Sequence, residues 1–205
     1  FPATAPLEKQ RARSASARFE EMPVNTQCQT VERGVIGDWI TPQAPLKDGV
    51  ILYLHGGAYI LHSPLIYQSF VARIAQACHL AAFIPNYRLA PEHPFPAALD
   101  DARSAYQALL AQGYAPNQII IGGDSAGGGL TLALLMALRD AGESMPAAGF
   151  LLSPWTDVSL SGESIRTRAK REVYLQMSML QSASRGYAVN HDVRHPLISP
   201  RFGNF

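Results

Sequence analysis

The sequence predicts an α/β class, with helices covering a mostly parallel sheet, and three features carry that expectation. Four short apolar runs, at 50–54, 80–84, 118–121 and 148–152, lack the polar alternation of a half-exposed strand and read as strands buried on both faces. Helical spacing fills the gaps between them: Ile66, Phe70, Val71, Ile74 and Cys78 share one face, and Ala98, Ala102, Ala105, Tyr106 and Leu109 share another. Strand and helix therefore alternate, the order that builds a parallel sheet through crossover helices.

Taken in order, residues 1–25 are polar and rich in Arg, Ala and Ser, with Pro6 suited to the first turn of a helix. Only Leu7 and Phe19 are large apolar anchors, so this helix is expected to lie on another element. Over 28–40 the residues Val31, Val35, Ile36 and Trp39 alternate loosely, as in one or two antiparallel strands at a sheet edge, and 41–48 reads as a loop. Beyond Trp155 a basic run, Arg166, Arg168, Lys170 and Arg171, reads as a solvated face. The helix expected after it carries Val173, Tyr174, Met177 and Leu180 and could lie as a lid over the sheet. Met177 and Met179 are either ordinary packing or the lining of an acyl pocket, since Met adapts to varied apolar partners.

A length of 205 residues fits one well-buried domain. Seventeen Lys and Arg against sixteen Asp and Glu leave a formal charge of +1, so there is no field to hold a phosphate backbone and no nucleic-acid partner is expected. Cys28 and Cys78 cannot supply a disulfide framework or a four-ligand zinc site, and a reducing, cytoplasmic setting is expected. The longest apolar run, residues 127–138, is too short to cross a bilayer, and no charged n-region precedes an apolar stretch at the N-terminus. A protein without stable membrane insertion follows.

The sharpest local signal is Gly123-Asp124-Ser125-Ala126-Gly127, a G-x-S-x-G between the 118–121 run and a helical stretch through Leu130, Leu134 and Leu138. A reversal that abrupt from strand to helix puts the serine in a strained conformation, with glycines two residues either side because side chains there would clash. Ser125 is the candidate nucleophile, and the Ala126 amide lies where a helix N-terminus has unpaired N–H groups. A glycine-rich packing turn is the bland reading. A phosphate cradle fails, because no Lys-Ser or Lys-Thr follows the glycines. The second signal, His55-Gly56-Gly57-Ala58-Tyr59, ends the 50–54 run, where the amides of Gly57 and Ala58 can converge with that of Ala126 on an oxyanion. His55 belongs to that loop and reads as its fixing hydrogen bonder.

These two motifs, with the run Tyr87-Arg88-Leu89-Ala90-Pro91-Glu92-His93-Pro94-Phe95-Pro96-Ala97-Ala98 and Ser153-Pro154-Trp155-Thr156-Asp157, resemble the bacterial hormone-sensitive lipase branch of the α/β-hydrolase superfamily over residues 28–205. The resemblance implies an α/β-hydrolase fold with a helical cap, and a serine carboxylesterase that takes short-chain acyl esters and needs no cofactor or metal. It implies an N-terminal cap segment at 1–27, a catalytic core at 28–155, a cap insertion at 156–195 and a return to the core at 196–205. Arg88, Glu92 and Asp101 or Asp100 would tie loops and helices together.

A serine hydroxyl needs a general base oriented by a carboxylate, and in this superfamily both follow the serine, after later strands. Downstream lie Asp140, Glu143, Asp157, Glu163, Glu172, Asp192, His191 and His195. Of these Asp157 matches a position that is structural in the family, and His191 and His195, four apart as in a helical metal pair, are followed by Pro196 and have no Glu in a zincin arrangement. The triad acid and histidine are expected beyond Phe205, with the last strands of the sheet. A fragment of a longer esterase, a naturally truncated product, and a homodimer or partner chain completing the sheet are the three explanations; natural proteins avoid so open an edge, which favours a longer protein. The other functional class on this scaffold is a small-molecule receptor without full catalysis.

Overall fold

The computed structural model describes residues 5–18, 20–46 and 48–204. Helix α1 spans Leu7–Ser16, strands β1 and β2 span Thr26–Val31 and Gly37–Pro42, and β3 is Val50–Leu54. Then come α2, Pro64–Cys78; β4, Ala81–Pro85; α3, Ala97–Ala111; β5, Ile119–Asp124; α4, Ser125–Asp140; and β6, Ala148–Leu152. Two further helices, α5 at Glu163–Thr167 and α6 at Met177–Tyr187, complete the order. Phe19, expected as an anchor of the N-terminal helix, lies outside the described residues, whereas Leu7 packs against the core.

The sheet runs β1-β2-β4-β3-β5-β6, with β3, β4, β5 and β6 parallel and β1 and β2 antiparallel at one side. The alternation of side chains along β3 sorts the core into two layers. Val50, Leu52 and Leu54 pack with buried residues of α3 and α4, while Ile51 and Tyr53 pack with α2. Every residue of β3 is buried, as its unbroken apolar run requires. The chain leaves β3 toward β4 on one side and returns to β5 on the other. The crevice outside the carboxyl ends of β3 and β5 is therefore the switch point at which such sheets bind ligands.

Four expectations are corrected in detail. Strand β5 continues past Ile121 to Asp124, because Gly122 and Gly123 have no side chain to register as apolar yet pair through their backbones with Tyr53 and Leu54. The buried face of α2 is Ser69, Val71, Ala72 and Ala75, not the face through Phe70 and Cys78; small residues let the helix approach the sheet, and Phe70 is displaced to its flank. Val173 and Tyr174 precede α6 and are 93% and 67% exposed, so the helix starts at Met177. Strand β6, read as buried on both faces, is half exposed and pairs only with β5 among the described residues. The basic run at 166–171 is exposed, as expected.

Polar ties fix the loops above the carboxyl ends of the strands. Arg88 grips Asp101 with Nε at 2.9 Å and Nη2 at 2.7 Å, and the Arg88 backbone N–H donates to the same carboxylate at 2.8 Å. Arg11 of α1 donates to the carbonyls of Ile60 and Ala90 and, through both terminal nitrogens, to Glu92. The helix therefore lies across the loops that follow β3 and β4.

Candidate active site

Strand β5 gives way to α4 with no intervening loop, and Ser125, the first residue of the helix, has φ of 49°. A left-handed residue with a side chain is strained by about 1–3 kcal/mol and persists only where its surroundings hold it. Here the Trp155 N–H donates to the Ser125 carbonyl at 2.7 Å. A Cβ on Gly123 or Gly127 would overlap the Leu54 carbonyl oxygen, so both glycines of the motif are required by close approach to β3. The Ser125 side chain is half-buried and makes no hydrogen bond among the described residues. Ala126 is fully buried at the second position of α4, where the N–H has no acceptor within the helix.

The loop after β3 has its own strain. Gly57, Ala58 and Tyr59 all have positive φ, at 121°, 54° and 62°. The turn is closed by Ile60 and Leu61, whose N–H groups donate to the Gly57 carbonyl at 3.0 and 2.8 Å. Among the described residues the N–H groups of Gly57 and Ala58 donate to no other protein group. Tyr59 anchors the loop from beneath: its ring stacks on Tyr187 of α6 with centroids 3.8 Å apart and planes within 2°, and its carbonyl accepts from Ala90 at 2.9 Å.

His55 is fully buried and pairs Nδ1 with the Gly56 carbonyl at 2.7 Å. Its ring stacks between Tyr87 and His62, and its own carbonyl accepts from the Tyr87 hydroxyl at 2.5 Å. Burial, then the neighbouring His62, holds the imidazole well below its ordinary pKa. A neutral, enclosed ring fixes the loop, as the sequence suggests, and is shut off from acid–base work.

Asp124 is the site residue that sequence reasoning missed, since it fills a variable position of the motif. Its Oδ1 accepts the Gly56 N–H at 2.9 Å and the Tyr53 hydroxyl at 3.0 Å, and its Oδ2 accepts the Tyr67 hydroxyl at 2.9 Å. Burial raises the carboxyl above its usual range, against the lowering effect of these three donors. The charge in turn adds to burial in pushing both tyrosines upward, so they stay protonated and donate. Residues 56 and 124 each stand one position before the candidate groups Gly57 and Ser125, and their bond brings the two motifs together.

The remaining candidates make other contacts. The rings of His191 and His195 pack against Phe95, with centroids 5.0 and 5.6 Å away, and His195 Nδ1 accepts the Leu197 N–H at 3.2 Å. Among the described residues no three side chains are grouped to hold a metal ion, and both cysteines are free. Burial and then Asp38 push the Cys28 thiol up to about 11, which leaves it protonated near neutrality. No helix of the described residues is long and apolar enough to cross a membrane.

Asp157 is a turn-maker. It accepts the backbone N–H and hydroxyl groups of Ser159 and Ser161, and Arg201 lies 3.4 Å away. Burial raises its carboxyl, but the hydrogen bonds and Arg201 outweigh that and hold it below the usual range. The unfolded chain thus binds this proton more tightly than the folded one, and the stability Asp157 contributes is lost as pH falls below about 4. Urea unfolding from pH 5 to pH 2.5 is expected to show a smaller acid loss in Asp157→Asn than in the wild type. An equal loss in both would contradict the assignment.

The chain matches the family described as an alpha/beta hydrolase fold over residues 51–205. It is 44% identical over 168 residues to an acetyl-hydrolase of Streptomyces hygroscopicus, covering 82% of this chain and 56% of that protein. Among solved structures it is similar to an esterase/lipase from an uncultured bacterium, with a TM-score of 0.91, 39% identity and coverage of 100% of this chain and 69% of the other. A hormone-sensitive lipase from a metagenome library gives a TM-score of 0.92 at 35% identity, covering 98% and 68%. The chain spans a little over half the length of the curated relatives it matches.

Proposed function

The chain belongs to the α/β-hydrolase family, where it is similar to bacterial hormone-sensitive lipase esterases, and from that premise we propose a serine carboxylic ester hydrolase acting through an acyl-enzyme on short-chain acyl esters. One observation carries the reading: a left-handed Ser125 at the β5–α4 junction, tied through Asp124 and Gly56 to a loop whose next two amides are unengaged. Neither strain nor free amides serve packing. A receptor would need neither.

In this reading the Ser125 Oγ attacks the ester carbonyl and the oxyanion of the tetrahedral intermediate is held by the N–H groups of Gly57, Ala58 and Ala126. Each such donor contributes on the order of 10²–10³ in rate, because it is aimed before the charge develops and needs no reorganisation. The positive end of α4 adds to the field at the same point. A base takes the serine proton and returns it to the leaving alkoxide; the acyl group stays on Ser125 until water, activated by the same base, releases the acid. His55, His191 and His195 are engaged elsewhere, and the proposal draws the base and its carboxylate from outside the described residues. The name of the Streptomyces relative supports a small acyl group. Segments 1–27 and 156–195 act as the cap: α1 and α6 bear on the loops that flank the serine.

Incubating the full-length protein with a fluorophosphonate tests this reading. A single covalent adduct on the peptide containing Ser125, found by mass spectrometry, is the expected result. No adduct, or one on another residue, overturns it.

A further inference from the structure

An aspartate just before a helix is normally its N-cap, its carboxylate accepting the second or third amide of the helix. Asp124 occupies that position for α4, with φ and ψ in the extended region, yet makes no capping bond. Its carboxylate is turned toward β3 and α2, to the Gly56 N–H and the hydroxyls of Tyr53 and Tyr67. Two things follow at once. The first amides of α4, including that of Ala126, keep their donors free, and the peptide that leads into Gly57 is gripped by a charged acceptor.

The choice of a carboxylate is informative. Asp124 has no cationic partner among the described residues, so its charge is compensated only by these three donors. Burying an ion on hydrogen bonds alone is an arrangement that a neutral side chain would avoid. The donors are themselves fixed: Tyr53 is fully buried in β3, and Tyr67 is packed on α2 against the same layer. Gly56 is adapted to the contact too, since a Cβ there would overlap Asp124 Oδ2 and come within 2.7 Å of the Tyr67 hydroxyl.

Resting on the reading of Ser125 above, we propose that Asp124 is a positioning residue: its carboxylate locks the loop after β3 to the end of β5 and so sets the amides of Gly57 and Ala58 against the nucleophile. It touches no reacting atom. Its effect passes through the 56–57 peptide, and a shift of that peptide by about 1 Å is enough to lose on the order of 10² in rate.

The test compares Asp124→Ala and Asp124→Asn in the full-length protein, with p-nitrophenyl acetate as substrate and a trifluoromethyl ketone as the tetrahedral-adduct probe. In Asp124→Ala the tie to Gly56 is gone, and kcat is expected to fall about 100-fold with KM within threefold and ketone affinity reduced in parallel. Asparagine keeps an oxygen for the Gly56 N–H but not the charge that grips it, and its kcat is expected to recover only to about two- to tenfold below the wild type. A purely structural Asp124 would lower thermal stability without this split. A folded Asp124→Ala with kcat within threefold of wild type, or one that loses KM and not kcat, overturns the proposal. If Asp124→Ala does not fold, a folded Asp124→Asn with reduced kcat and unchanged KM supports it, and an Asn variant identical to wild type overturns it. A wild-type protein that takes no phosphonate sinks the reading of Ser125 and this one with it; a labelled wild type beside an unaffected variant sinks this one alone.

Discussion

On the proposed reading, ester hydrolysis by the full-length protein is expected to fall by on the order of 10⁵-fold when Ser125 is replaced by alanine. The size follows from the way nucleophile and base act as a unit, since either alone leaves only oxyanion stabilisation and binding, a residual of roughly 10³–10⁴ over the uncatalysed rate. The fold is expected to survive, because the Ser125 side chain makes no hydrogen bond among the described residues and alanine is no larger. Substrate affinity is expected to survive as well. The measurement is initial-rate hydrolysis of p-nitrophenyl acetate by protein of verified mass. A variant within 100-fold of wild type would mean that Ser125 is not the nucleophile.

The second large effect is on stability. Gly127→Ala places a Cβ into the Leu54 carbonyl oxygen and within 2.5 Å of that of His55. Both obstacles are backbone, one of them the end of a buried strand, so neither can swing aside as a flexible side chain would. The loss is expected to exceed about 3 kcal/mol, at the upper end for overpacking. Urea unfolding against Gly142→Ala gives the comparison. Gly142 has φ of 66° and nothing within 4 Å of an added Cβ, so that variant should lose only about 1 kcal/mol through backbone strain. Equal losses would show that conformation, and not close approach, determines the glycine of the motif.

Much of the sheet could be read from the chain because parallel strands are written as unbroken apolar runs: buried β3 and half-exposed β6 both start and stop where those runs do. The reading shortened β5 because hydropathy does not register glycine, although the backbone of Gly122 and Gly123 pairs like any other. On α2 it placed Val71 and Ile74 on the core side rightly but turned the face too far toward Phe70 and Ile66, which outweigh alanine in any apolar tally, whereas close helix–sheet packing favours alanine. The face of α3 was legible since small and large apolar residues coincide there. At the site, the strained serine and the glycine-rich loop were legible from spacing. Asp124 was not, because its partners, Tyr53 and Tyr67, are 71 and 57 residues away and nothing local marks them. The Arg88–Asp101 pair came from family likeness alone; thirteen residues of loop and helix gave no physical sign of it.

The stacked rings of Tyr59 and Tyr187 have a consequence for anyone who would exchange segments between relatives. Tyr187 ends α6, and its partner sits in the glycine-rich loop after β3, so a graft that replaces 156–195 also removes the ring on which that loop rests. A donor segment with a small residue at 187 would leave Tyr59 beside a void, in a backbone conformation it holds only under constraint. The boundary of a workable chimera is therefore drawn by ring contact and not by sequence position: Tyr59 and Tyr187 must be transplanted together.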